Sequence, residues 1–203
     1  MERNQPQNLW ARYADDAVIH CRTQEEAEKL HHRLKQRFKE CGLELHPDKT
    51  RIVYCKDDDR SENHAVTSFD FLSYTFRARR SKNRHGKYFI NFSPAVSNKA
   101  ATYMRQTIRQ WRIHLKPGLK LEDIAREVNP VLQGWINYYG RFYKSQMYPV
   151  LRHMNNALVQ WARRKYKKLE IHKTRAENFL GNIAKREPKL FVHWKMGIKP
   201  TAG

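Results

Sequence analysis

The sequence predicts an α+β protein in two parts: antiparallel strands with one helix over residues 1–92, then helices alone over 93–203. Three observations carry this. Before residue 93, short β-branched and aromatic runs are punctuated by turn formers, the signature of paired strands. From Ser93 on, apolar residues recur at helical spacing. Charge divides at nearly the same place: residues 1–70 hold 12 Lys/Arg against 14 Asp/Glu, and residues 71–203 hold 28 against 6. Strands followed by helices, with no repeat and no alternation, make α+β the class.

Taken in order, Leu9 to Cys21 reads as strand, turn, strand, with Ala14-Asp15-Asp16 at the tip. Thr23 and Glu26 form a capping box for a helix carrying Ala27, Leu30, Leu34, Phe38 and Cys41 on one face, and Gly42 stops it. Leu43 to Thr50 is a short extended piece and a turn; Arg51–Cys55 is a strand; Lys56 to His64 is a polar loop. Phe69 to Phe76 is strand-like, Arg77 to Lys87 a hairpin loop, and Tyr88–Phe92 the return strand. A helix follows from a cap at Ser97 to about Leu115, with Ala101, Met104, Ile108, Trp111 and Leu115 on its apolar face. Leu121–Val128 is a short helix, and Asn129-Pro130 supplies a cap and first-turn proline for the next, which carries Trp135, Tyr138 and Tyr139. Pro149 to Lys168 is a longer helix with Val150, Leu151, Met154, Leu158 and Trp161 inward. Thr174 and Glu177 form a second capping box for a helix closing before Pro188.

A net charge of +20 repels itself in a compact state unless a polyanion shares it, so nucleic acid is the expected partner and an anionic membrane surface the second choice. No apolar run approaches a membrane span, and no signal peptide precedes Trp10. Cys21, Cys41 and Cys55 are widely spaced with no metal-ligand pattern, which fits a reduced, cytoplasmic protein.

Asp15 and Asp16 stand out against this basic background. Two carboxylates at the tip of a hairpin between apolar strands are held rigidly. Phosphoryl transfer uses such carboxylates to hold two Mg²⁺ ions about 3.5–4 Å apart. A solvated turn is the competing reading.

Tyr13-Ala14-Asp15-Asp16 resembles the Y-x-D-D box of reverse transcriptases, and Arg12 to Asp16 is similar to that of the group II intron reverse transcriptase/maturase family. Gly42 to Thr50 resembles that family's next motif, where Lys-Thr lies beside the incoming nucleotide. Phe69 to Phe76 resembles its primer-grip hairpin, with Ser73 where Gly is usual. Asn129 to Tyr139 resembles the signature of its thumb, or maturase, domain, and Leu190 to Trp194 that domain's close. The resemblance implies the later part of a polymerase palm over 1–92 and a helical maturase domain over 93–203. It assigns Asp15 and Asp16 to catalysis and to Mg²⁺, with Asp15 the direct ligand. Tyr13 and Lys49 go to the nucleotide, and Phe71, Leu72, Ser73 and Tyr74 to the primer.

The family's palm also uses an Asp on a strand well before this hairpin, and fingers that cradle template and triphosphate. Only eleven residues precede Arg12, and their one acid, Glu2, sits among Arg3, Asn4 and Gln5. The expectation is half of a two-metal site, inactive as an RNA-directed DNA polymerase unless a complementing upstream chain supplies palm and fingers. Group II intron RNA is the implied partner, with a DNA target or primer beside it, in a cytoplasmic ribonucleoprotein or at the nucleoid.

RNA contacts are expected from the basic loop Arg77, Arg79 and Arg80, from Tyr138, Tyr139, Arg141 and Lys144, and from Arg163, Arg164, Lys165, Lys167, Lys168 and Lys173. Two other readings stay open: an RNA-binding remnant without a role, and a metal-dependent nuclease. The nuclease needs an acid or histidine constellation that the ten His do not form.

Overall fold

The structure, a computed structural model, describes residues 8–60 and 62–201. Glu2 and its neighbours lie outside the described residues. The chain divides into two compact units, one of the residues up to Phe71 with Arg77–Phe92, the other of Leu72–Phe76 with the residues from Ser93 on.

In the first unit, β1 (Trp10–Tyr13) and β2 (Asp16–Ile19) pair antiparallel, with Tyr13 opposite Asp16. The turn is therefore Ala14-Asp15 alone, and Asp16 belongs to the strand. Helix α1 (Gln24–Glu40) starts at Thr23, whose hydroxyl accepts from the Glu26 N–H at 3.2 Å. The Glu26 carboxylate reaches back to the Arg22 N–H at 2.7 Å and takes a second bond from the Asn8 amide at 2.9 Å. Those bonds, the Arg22 one first, hold its carboxyl below the usual range. Leu30 is the one buried hydrophobic residue of this unit among the described residues.

The expected strand at Arg51–Cys55 does not form. The Tyr54 N–H bond to Val66 O at 2.9 Å, the Arg60 side-chain bond to Cys55 O at 3.3 Å and a Tyr54–His64 ring stack hold the segment instead. Phe69–Phe76 is not one strand either. It folds as β3 (Ser68–Phe71), a two-residue turn, and the start of β4 (Tyr74–Lys82). The β4 strand runs through the expected basic loop, which shrinks to Asn83–Lys87; Asn83 Oδ1 accepts from the His85 and Lys87 amides at 2.9 Å. β5 (Tyr88–Val96) completes a sheet of order β3-β4-β5.

The second unit holds the core. Helix α2 (Asn98–Gln110) starts at Ser97, whose Oγ accepts from the Ala100 N–H. It ends before the expected Leu115. Arg112 takes a positive φ of 47°, a 3₁₀ turn over Ile113–Leu115 follows, and Leu115 lies exposed. The break expected at Asn129-Pro130 is absent: α3 runs unbroken through Leu121–Tyr139. Pro130 lacks the N–H of a helical turn, yet Val128 and Leu132 on either side are fully buried, and that packing carries the helix through. Asn129 caps nothing; its side chain donates to Leu190 O at 2.9 Å and accepts from the Val192 N–H at 3.1 Å.

Helix α4 (Tyr148–Lys165) is shorter than expected at its C-terminal end, where Tyr166 is extended and a 3₁₀ turn spans Lys167–Leu169. Helix α5 (Lys173–Arg186) has no capping box, because it begins one residue before Thr174; Glu177 pairs instead with Lys173 at 3.5 Å. A last turn of helix, α6 (Val192–Lys195), closes the unit. Met154, Leu158, Trp161, Leu180, Phe191 and Trp194 are essentially inaccessible and belong to one continuous cluster. No described helix is long and apolar enough to cross a membrane.

Within that cluster Asn155 Oδ1 accepts from His193 Nε2 at 2.7 Å and Trp194 Nε1 at 2.9 Å, while its amide donates to Ile198 O at 3.1 Å. An indole N–H only donates, so the atom facing it is the Asn155 oxygen, and His193 Nε2 must then carry its proton. Burial lowers the His193 pKa to about 3. Unfolded histidine, near 6.5, binds a proton that the folded chain refuses, so this contribution to stability is present above 6.5 and is lost as pH falls towards 3. The unfolding free energy is expected to fall by about 1.4 kcal/mol per pH unit through that window from this group. Urea denaturation at several pH values should give a shallower dependence, by about one proton, in His193→Gln; an unchanged slope would refute the assignment.

Candidate active-site hairpin and nucleic-acid interface

Asp15 and Asp16 lie exposed on the β1–β2 hairpin. The turn is tight because Ala14 takes φ 51°, and the Arg12 guanidinium braces it by donating Nε–H to Ala14 O at 2.8 Å. Tyr13 is exposed at the end of β1. Lys49 is exposed in the Pro47–Lys49 turn, which the Thr50 N–H closes on His46 O at 2.9 Å. Among the described residues no group of three or more His, Cys, Asp or Glu side chains converges. The donor chemistry of the pair, carboxylate oxygens free at a hairpin tip, fits Mg²⁺, which takes one or two protein carboxylates and fills its other positions with water or phosphate.

At the β3–β4 hairpin, Leu72 and Ser73 both have positive φ, 50° and 65°. A two-residue turn with left-handed values at both positions is the form that matches strand twist, and it favours Gly or Asn. Here neither is present, and two contacts hold the strained tip. Leu72 O accepts from the Tyr138 hydroxyl at 3.0 Å, and Ser73 O accepts from the Ser97 N–H at 3.0 Å. In return the Tyr74 hydroxyl donates to Tyr138 O. Tyr74 is buried against the rings of Tyr138, Tyr139 and Phe142 at 5.2–5.6 Å. Burial, then Tyr138 and Tyr139, push its pKa up against the opposing pull of Arg141, so it stays a neutral donor.

Several of the expected residues have internal contacts. Tyr74 is a packing and latching residue with its ring turned inward. The Tyr138 and Tyr139 rings lie tilted against Tyr74, and Tyr138 is only half exposed, so neither stands as an open platform for a base. Arg79 is buried, which leaves little of it for a phosphate, whereas Arg77 and Arg80 are exposed, Arg80 lying 3.9 Å from the Tyr88 ring centroid. Lys165 donates its ammonium to Pro117 O and Leu119 O at 2.8 and 2.7 Å, and Arg163 donates to Glu170 O at 2.8 Å. Both secure loops. Lys173 faces Glu177. Arg141, Lys144, Arg164, Lys167 and Lys168 remain exposed. The reciprocal Tyr74–Tyr138 latch was not anticipated; Ser73 in a glycine position is the signal that the turn needed outside support.

Two family models match the chain: that for the reverse transcriptase (RNA-dependent DNA polymerase) over residues 1–76, and that for the group II intron, maturase-specific domain over residues 101–179. No curated protein matches it.

Left-handed backbone costs a non-glycine residue about 1–2 kcal/mol, of which glycine's greater unfolded-state freedom returns about 0.5–1. Ser73→Gly is therefore expected to stabilise the chain by roughly 0.5–1 kcal/mol, and Tyr138→Phe to destabilise it by about 1 kcal/mol. Denaturant titration of both variants decides this, and destabilisation by Ser73→Gly would show that the turn is not strained.

Proposed function

The chain belongs to the group II intron reverse transcriptase/maturase family, and on that premise we propose that its helical unit binds group II intron RNA and assists its splicing. The observation that supports this best is the exposed, acid-poor basic run Arg164, Lys167 and Lys168 at the end of α4, on a unit whose charge greatly exceeds its internal pairing. Exposed cations spaced along a helix end and the following turn suit a phosphate backbone, and the released counterions supply affinity. Arg77, Arg80, Arg141 and Lys144 extend the basic surface. Association with intron RNA would place the protein in a cytoplasmic ribonucleoprotein.

In the first unit, Asp15 and Asp16 would hold Mg²⁺. When bound, the ion would stabilise charge on phosphoryl oxygens during nucleotidyl transfer. Lys49 would face the triphosphate, Tyr13 the nucleotide, and the Phe71–Tyr74 hairpin a primer end. Among the described residues no third acidic side chain joins the pair, and a two-metal site would take a further carboxylate. The residues' own contribution is positional: the braced Ala14-Asp15 turn fixes the pair, and the latched Leu72-Ser73 turn fixes the primer hairpin.

Two measurements test this. Filter binding at matched salt should give a folded group II intron RNA an affinity about tenfold or more above an unrelated RNA of equal length. Equal affinities, lost together as salt rises, would leave only indiscriminate polyanion binding. Primer extension on an RNA template with Mg²⁺ should give no product from this chain alone, or from Asp15→Ala. Product that vanishes in the variant would mean the metal site is already complete.

A further inference from the structure

Helices α2 and α4 pack on each other, and neither contains an acidic residue. The deficit extends along the sequence: no Asp or Glu lies between Phe71 and Leu121, or between Val128 and Leu169. Arg105 is half-buried on the flank of the stripe formed by Met104 and Ile108, and Arg109 follows one turn later on the same side. Across the seam on α4 sits His153, also half-buried. The Arg105 guanidinium donates to Thr102 Oγ1 at 3.0 Å, and no carboxylate pairs with Arg105 or Arg109 among the described residues.

Across the packed α2–α4 seam two guanidinium groups, Arg105 half-buried and Arg109 exposed, thus act on one half-buried imidazole, and no carboxylate pairs with either arginine among the described residues. Such a cluster opposes folding by self-repulsion and contributes nothing to packing that apolar side chains would not do better. A bound phosphodiester removes the conflict, because arginine presents paired donors to phosphate oxygens and a protonated imidazole adds a third charge-assisted donor. Eleven positions along α4, about three turns, Arg164 falls on the same stripe as His153 and is exposed. That alignment carries the cluster towards the basic end of the helix.

We propose that the acid-free seam formed by Arg105, Arg109 and His153 is a second RNA-phosphate site, and that His153 takes up a proton from solvent when the backbone docks there. The proposal rests on the RNA-binding reading above. Its proton linkage follows from the surroundings of His153. Burial, then Arg109, then Arg105, hold the free imidazole below its ordinary range. Of the elements packed on α4, only α2 acts on His153 in this way. The sole carboxylate on those elements is Glu177 of α5, engaged by Lys173; every other ionic or histidine side chain is a base, including Arg152 on α4 and His114 on the Ile113–Leu115 turn. A phosphate against the cluster reverses the local field and raises the bound-state pKa. Affinity therefore rises as pH falls through the interval between the bound and free values.

The test uses the full chain and a single-stranded RNA oligonucleotide at constant salt. From pH 7.5 to 5.5 wild-type affinity should rise by about three- to tenfold more than that of His153→Gln, one restored pKa unit being worth tenfold. In parallel, the His153 ring resonance of the wild-type chain, followed by NMR, should titrate at higher pH with RNA than without. That readout needs no variant and survives any folding defect in one. If no RNA binds wild type at any pH, the RNA-binding reading itself fails. If RNA binds but the two proteins share one pH dependence and the His153 titration does not move, the site is wrong while the RNA-binding reading stands. An equal shift from inorganic phosphate, at the same concentration of phosphate groups, would overturn it as a site for the RNA backbone.

Discussion

The burial of α4 is the constraint on which the helical unit depends. Leu151, Met154, Leu158 and Ala162 have no accessible surface and Trp161 almost none. Each large apolar side chain buried in this way contributes about 1.5–3 kcal/mol. Helices α2 and α5, and the 3₁₀ turns at Ile113–Leu115, Lys144–Met147 and Lys167–Leu169, pack on this one element. Its polar edge matters as much. Trp161 Nε1 donates to Lys116 O, and Lys165 spans Pro117 O and Leu119 O, so α4 ties down the loop leading into α3, whose Pro-Gly turn is closed by the Leu119 N–H on Lys116 O at 3.2 Å. A helix that fixes its neighbours through its buried face leaves its outer face free to carry charge, and this one carries only bases.

Polar pins close the same unit. Asn129 holds the Leu190–Val192 segment and Asn155 holds His193, Trp194 and Ile198. Buried donors left without acceptors are costly, so these contacts specify one position for the last residues, where apolar packing alone would tolerate several. The first unit is built differently. Leu9 and Tyr13 are largely exposed, at 77% and 64%, and a two-stranded ribbon is marginal by itself. Its tip is braced by the Arg12 bond to Ala14 O, and its open end is tied by Asn8 to His20 O and to the Glu26 carboxylate, in place of a core. Carboxylates at such a tip are presented to solvent and to ligands at little cost in desolvation.

Charge and packing therefore divide the labour. Among the bases behind Ser93, some are spent on structure, as Lys165 and Arg163 are on backbone carbonyls. Others, such as Arg164, Lys167 and Lys168, are exposed with no hydrogen-bond or ion-pair partner for their side chains among the described residues, and make the surface what it is. The distinction matters for RNA recognition, since only a cation with a free head can exchange its counterion for a phosphate.

Much of this was readable from the sequence. The Leu9–Cys21 hairpin, the helix after Thr23, the inward stripe of α4 and the matched family motifs all rest on spacing and turn chemistry within a few residues, which a linear chain displays directly. What the tertiary structure decided involves partners far apart in the chain. Pro130 reads as a break, yet burial of Val128 and Leu132 holds α3 together. Arg79, Lys165 and Tyr138 read as ligands for RNA, yet Arg79 is buried and the other two bond to backbone carbonyls elsewhere in the fold. Local preference is worth fractions of a kcal/mol per residue, whereas burial and a satisfied buried hydrogen bond are each worth one or more. Where the two disagreed, the long-range terms won.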